Sequence, residues 1–282
     1  MVRNFGQDIR KRIRVATWNL KRPGTEQARR RVDFLNSRDW DIVTLQEVTP
    51  RAWDVIVESG IAESGLYTLH DLEIAPLGNH PHGVALLARN GFSLSAPELI
   101  PDLPKAERAL AASTTVENLP VTGAGWHAPN AAGEGVKTKM QGYRGISDWL
   151  NTISGPVVFG FDSNHWSRST NLEPPYVPDS DDPWLLENQF FGGNAPHRLR
   201  DAFLDHLRQH PLQYEEIVKR RPWGPLAVSY VRGNTRTPVE DRFDYIFVSD
   251  DIGITSCSYH YEAAKVAGSD HGIVTADLRL RT

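Results

Sequence analysis

Short runs of β-branched and apolar residues, each stopped by Gly, Pro, Asn or Asp, recur along the whole chain and limit what it can fold into. They fall near residues 13–19, 41–47, 83–89, 108–116, 120–127, 155–161, 227–232, 243–249, 254–260 and 273–280, each the length of a strand. Helical spacing separates some of them. It is clearest at 25–38, where Thr25 reads as a candidate cap and Ala28, Val32 and Leu35 share a face, and it returns at 50–59, 136–153 and 199–210. Hairpin-like neighbours mixed with helical crossovers predict two mixed sheets packed face to face with helices outside, a four-layer α/β/β/α sandwich. No period between about 20 and 50 residues recurs, which argues against a solenoid or propeller.

Several of these runs meet a polar residue where strand gives way to loop. Asn19 closes the run from Arg14, Glu47 closes the run from Ile42, and Asp162 and Asn164 follow the run from Pro156 to Phe161. Asp244 opens the run to Val248, and Ser269-Asp270-His271-Gly272 precedes the last run. Side chains placed at strand ends on a rigid sheet converge on one rim, a common way to build a catalytic site. Singly, such an Asn or Asp is more often a turn or cap residue; their joint occurrence gives them weight. Asp162 and Asn164, two residues apart, point to one face if the strand continues through them.

The polar clusters run from Asn19 to His271, and one site needs both ends, so the 282 residues read as a single domain. Its 40% hydrophobic and 23% charged content is sufficient for a globular core. No apolar run approaches the roughly 18 residues of a membrane span. The stretch from Met1 to Arg12 lacks the apolar centre of a secretion signal, so a cytoplasmic protein without a membrane partner is expected. The single cysteine, Cys257, cannot form an internal disulfide and offers no thiolate cluster for zinc.

The net charge of −4 counts against a non-specific nucleic-acid binder. Four basic runs stand out locally: Arg10-Lys11-Arg12, Lys21-Arg22, Arg29-Arg30-Arg31 and Lys219-Arg220-Arg221. Each by itself reads as a solvated face. Lys219-Arg220-Arg221-Pro222-Trp223 can also pair phosphates and stack a base, and Lys137, Lys139, Tyr143 and Arg144 are placed to grip a strand. Residues 165–198, rich in Pro, Asp and Gly, read as a long loop insertion bordering the site.

Six segments, in order, resemble the endonuclease/exonuclease/phosphatase superfamily, the deoxyribonuclease I-like fold: Thr17-Trp18-Asn19, Leu45-Gln46-Glu47-Val48, Trp126-His127-Ala128-Pro129, Gly160-Phe161-Asp162-Ser163-Asn164, Arg242-Phe243-Asp244-Tyr245 and Ser269-Asp270-His271. The resemblance implies a metal-dependent phosphodiester hydrolase using Mg²⁺ or Mn²⁺. Glu47 and Asp270 would hold the metal, with Asn19 fixing a carboxylate or bound water. Asp162 would orient or deprotonate the attacking water, Asn164 would donate to the phosphate, and His271 would face the scissile phosphate with Asp244 on its other ring nitrogen. His127 matches a histidine that contacts the phosphate in the deoxyribonuclease branch, where a carboxylate from the strand matching 83–89 supports it; here the nearest counterpart is His82. Lys21-Arg22 departs from apurinic endonucleases, which carry an acidic residue two places after the matching Asn.

A nuclease acting on DNA or RNA is the leading expectation, with the basic run and Trp223 as substrate contacts and no obligate protein partner inferable. The alternatives are a phosphatase or phosphodiesterase on a small phosphorylated molecule or lipid head group, and a catalytically silent nucleic-acid-binding module.

Overall fold

The computed structural model describes residues 12–72, 74, 81–165, 170–233 and 236–281. Arg10 and Lys11 of the first basic run, His80, and Trp166, Ser167 and Arg168 of the insertion lie outside the described residues. In chain order the strands are β1 (Ile13–Asn19), β2 (Ile42–Val48), β3 (Ser64–Tyr67), β4 (Gly83–Ala88), β5 (Ser95–Glu98), β6 (Ala109–Val116), β7 (Leu119–His127), β8 (Val157–Asp162), β9 (Arg200–Asp201), β10 (Tyr230–Arg232), β11 (Val239–Asp241), β12 (Asp244–Val248), β13 (Ile252–His260) and β14 (Ile273–Leu280). The helices are α1 (Thr25–Asn36), α2 (Pro50–Ser59), α3 (Thr68–Asp71), α4 (Ala131–Glu134), α5 (Val136–Thr152), α6 (Leu185–Phe190), α7 (Ala202–Gln209), α8 (Pro211–Arg220) and α9 (Tyr261–Val266).

Two six-stranded sheets form, ordered β13-β14-β1-β2-β4-β3 and β5-β6-β7-β8-β12-β9. Each has one parallel pair near its middle, β1 with β2 and β7 with β8, and the remaining pairs are antiparallel. Strand alternation assigns the layers. Ile13, Val15 and Ile42 turn inward to meet Val121, Val158 and Ile246 of the other sheet. Ala16 and Trp18, one residue out of phase, turn outward onto Ala28, Val32 and Leu35 of α1 and Ala52 and Ile56 of α2. On the opposite outer face Trp126, Phe159 and Phe161 pack against Tyr143, Ile146 and Leu150 of α5 and Phe190 of α6. The result is the expected α/β/β/α sandwich.

The sheets approach each other closely at Gly160. A β-carbon there would stand 2.3 Å from Thr44 Oγ1 and 2.9 Å from Thr17 Cβ, so a larger residue would push the sheets apart. Gln46, buried at this seam, donates from Nε2 to Thr17 Oγ1 at 2.9 Å. The close approach brings the end of β1 against the end of β8.

The structure departs from the sequence reading in the segments that local pattern describes poorly. Residues 165–198 contain α6, whose Phe190 is buried and whose Glu187 pairs with Lys139. The helix expected at 199–210 starts at Ala202, because Arg200–Asp201 pairs with β12 and the Asp201 carboxylate caps the following turn, accepting from Phe203 N at 2.9 Å. Of the strand expected at 227–232 only Tyr230–Arg232 is extended, and it pairs with β11 in a small two-stranded sheet. Arg31, read as part of a solvated run, is buried and donates to the carbonyls of Leu20 and Gly268, tying α1 to the loop before His271.

Candidate active site

Strand register lines up three of the working residues. His127, the last residue of β7, lies opposite Asp162, the last of β8, and Asp162 lies opposite Asp244, the first of β12. From the other sheet, Asn19 ends β1 and donates from Nδ2 to Asp162 Oδ2 at 2.8 Å. Glu47 sits at an irregularity in β2, where pairing with β4 skips between Leu45 and Val48, and its backbone is left-handed at φ 53°. Such a bulge re-aims a side chain.

Lys21, Arg22, Glu47 and Asn164 all combine a positive φ, between 41° and 53°, with a place in the wall of one cleft of about 260 Å³. Non-glycine residues held this way cost free energy and cluster at functional sites. Asp162, Tyr230, Arg232, Phe243, Asp270 and His271 also line this cleft.

His271 Nδ1 lies 2.9 Å from Asp244 Oδ2 and 3.9 Å from Asp162 Oδ2. Asp244 is itself oriented by Ser229, whose hydroxyl accepts from the Phe243 and Asp244 amides at 2.8 and 3.0 Å. Burial works against a charged His271, but Asp244 and Asp162 outweigh it and raise its pKa to about 10; the ring is an imidazolium at neutral pH. Burial pushes Asp162 up to about 7, against the opposing pull of His271 and the hydrogen bonds from Asn164 and Asn19. An acid titrating near neutrality is tuned to exchange a proton with water.

The premise that β8 continues through Asn164 fails, because the strand ends at Asp162. Asn164 nevertheless reaches the cleft through a turn in which its backbone N–H donates to Asp162 Oδ1 at 2.9 Å. Its amide donates to Ala128 O at 2.8 Å and stands 3.3 Å from His127 Nε2. Burial, assisted by Arg108 and His82, holds His127 well below the usual imidazole range, so it is neutral at pH 7.

Glu47 and Asp270 each carry a basic partner from the turn after β1: Arg22 Nε lies 3.1 Å from Glu47 Oε2, and Lys21 Nζ lies 2.9 Å from Asp270 Oδ2. Both basic side chains are half exposed and stand in for a cation. Two carboxylates facing one cleft fit a hard divalent ion, which would supply Lewis acidity to a phosphate oxygen. Asn19 holds a carboxylate here, that of Asp162, while its Oδ1 accepts from Lys21 N at 2.8 Å.

Other expected contacts fall elsewhere. Lys219, Arg220, Arg221 and Trp223 do not line the cleft: the arginines border a separate groove with Tyr259 and Glu240, and Trp223 is 80% exposed. Lys139 and Tyr143 are buried and cannot grip a strand, whereas Lys137 and Arg144 are exposed. Sequence reasoning missed Tyr230, Arg232 and Ser229 as site residues. Phe243 alone carried a signal, its place beside Asp244.

Two stacked mixed sheets with a carboxylate, amide and imidazole rim at their strand ends define a phosphoesterase of the deoxyribonuclease I-like class. The model of the Endonuclease/Exonuclease/phosphatase family matches residues 16–271; the chain belongs to that family and is a metal-dependent phosphoesterase. No curated protein matches the chain in sequence. Among solved structures it is similar to zebrafish (D. rerio) TDP2 complexed with single-strand DNA product, at TM-score 0.65 and 13% identity, covering 95% of this chain and 99% of that one. It is similar to an endonuclease/exonuclease/phosphatase from Bacteroides vulgatus, at TM-score 0.64 and 16% identity over 96% and 100%. The Xenopus laevis APE2 catalytic domain follows, at TM-score 0.65 and 18% identity over 95% and 92%. At these identities the likeness is one of fold. No helix among the described residues is long and apolar enough to cross a membrane.

Proposed function

We propose that the protein is a nuclease hydrolysing the phosphodiester bonds of DNA or RNA with Mg²⁺ or Mn²⁺. The observation that carries this reading is the make-up of the cleft wall. Lys21, Arg22 and Arg232 stand beside Asp162, Asp270 and His271, while Tyr230 stacks on Phe243 at 4.9 Å and lies 4.8 Å from the His271 ring. Cations suit successive phosphates, and Tyr230, half-buried in the cleft wall, is the aromatic placed to meet a base or sugar. The zebrafish TDP2 structure, complexed with single-strand DNA product, lends support by fold.

In this reading Asp162, held by Asn19 and the Asn164 amide, accepts the proton of the attacking water. The His271 imidazolium, held by Asp244, stabilises charge developing on the phosphoryl oxygens. Neutral His127 stands beside Asp162, its Nε2 3.7 Å from Oδ2.

A second reading, hydrolysis of a small phosphorylated molecule, is favoured by the net charge of −4 and by the position of the 219–221 run outside the cleft. Incubation with Mg²⁺ or Mn²⁺ against plasmid, single-stranded DNA, RNA, bis-nitrophenyl phosphate and inositol phosphates separates the two. The nuclease reading expects polynucleotide cleavage that weakens steeply with salt. Turnover of inositol phosphates with every polynucleotide intact overturns it.

A further inference from the structure

Beyond Glu47 and Asp270, the cleft region holds a second set of metal-competent atoms. Glu47, His82 and His127 each offer one ligand atom, and these atoms lie within 4.8 Å of one another. His127 Nε2 is 3.5 Å from Glu47 Oε1, and the two imidazole rings stand 5.8 Å apart between centroids.

A separation of 3.5 Å is long for a hydrogen bond. It suits two ligands of one ion: donors about 2.1 Å from a metal stand roughly 3.0 Å apart in cis-octahedral and 3.4 Å apart in tetrahedral geometry. His127 is buried, and the ring nitrogen that faces Glu47 is Nε2. The 3.3 Å approach of Asn164 Nδ2 to Nε2 is also long, and that amide makes its shorter bond to Ala128 O.

The fold holds all three residues in place. Gly83 pairs with Val48, so His82 and Glu47 flank one point of the β2–β4 ladder. A β-carbon on Gly83 would fall 2.1 Å from Thr68 Oγ1, so the backbone beside His82 is pressed against α3. His127 is fixed at the end of β7 by its register with Asp162.

We propose that Glu47, His82 and His127 form a second divalent-cation site that takes a first-row transition ion, such as Mn²⁺, Co²⁺ or Zn²⁺, in preference to Mg²⁺, with Glu47 shared with the Asp270 site. Two imidazoles and one carboxylate are the donors that such ions bind more tightly than a hard alkaline-earth ion does. The shared carboxylate would put this ion beside the one that the nuclease reading needs. The site deepens that reading, but its test does not depend on activity.

The metal-free protein is titrated with Co²⁺ and with Mg²⁺ by calorimetry, Co²⁺ also being followed by its visible absorption. His82→Ala is expected to weaken Co²⁺ binding at least about tenfold and to leave Mg²⁺ binding within about twofold. As a check independent of any variant, electron spin-echo spectroscopy of the wild type loaded with Mn²⁺ is expected to show imidazole nitrogen coupled to the metal. Equal Co²⁺ isotherms for wild type and His82→Ala, or no nitrogen coupling in the wild type, overturns the proposal even where diester hydrolysis is robust. His82-dependent Co²⁺ binding without cleavage of any polynucleotide supports the site and removes the nuclease reading instead.

Discussion

Asn19 Nδ2 donates to Asp162 Oδ2 at 2.8 Å, a bond between the last residue of β1 in one sheet and the last residue of β8 in the other. The donor favours the carboxylate form of a group that burial otherwise drives toward protonation. Asn19→Ala should therefore move the acid limb of the pH–rate profile to higher pH and cost about ten- to a hundredfold in rate at pH 7, the worth of one hydrogen bond to a charge. An unmoved limb in a folded variant would show that this bond does not tune Asp162.

The pKa values of Asp162 and His271 predict a bell-shaped dependence of kcat/KM on pH. Activity rises as Asp162 loses its proton near pH 7 and falls as His271 loses its own near pH 10. Stability follows the same groups. His271 is raised from 6.5, so its contribution is complete below pH 6.5 and is lost as pH rises through about 10. Melting temperatures from pH 6 to 11 should fall over that window, and His271→Ala should flatten the fall.

Asp162→Asn and His271→Ala should each lower kcat on a minimal diester by roughly a thousandfold, as expected for groups acting on the transition state. Asp244→Asn should cost less, since it removes only the partner that holds His271. Near-normal turnover by Asp162→Asn would assign the water to another group.

Lys21 and Arg22 pair with Asp270 and Glu47 and would compete with a divalent ion for them. Replacing both with Ala should tighten Mg²⁺ binding, measured by calorimetry, while raising KM for a diester, because the cleft loses two phosphate partners. A weaker metal affinity in the double variant would contradict the competition.

The ion pair of Lys139 with Glu187 is buried, and Lys139 Nζ also donates to Asn164 O at 2.6 Å. Lys139→Met leaves the buried Glu187 carboxylate without its lysine, with only His165 Nδ1 at 2.8 Å still beside it, and should cost about 3 kcal/mol. Lys139→Met/Glu187→Met should recover most of that loss in thermal melts. No recovery would mean that the Asn164 contact, rather than charge pairing, dominates.

Much of this architecture is legible in the chain alone. The phase of alternation puts Val15 inward and Trp18 outward, and turn formers bound each strand, because period-two burial and turn chemistry are local properties. Asn19, Glu47, Asp162, Asp244 and His271 were visible as polar residues at strand ends in a familiar order. Tertiary structure decided what no local pattern encodes. Register set His127, Asp162 and Asp244 in one row, and the close approach at Gly160 joined two sheets at Asn19 and Asp162. The small β10–β11 sheet brought Tyr230 and Arg232 to the cleft, and α6 anchored the insertion through Glu187 and Phe190. Each of these depends on contacts between residues far apart in the chain, where the free energy lies in packing and in buried polar pairs rather than in the propensity of any one segment.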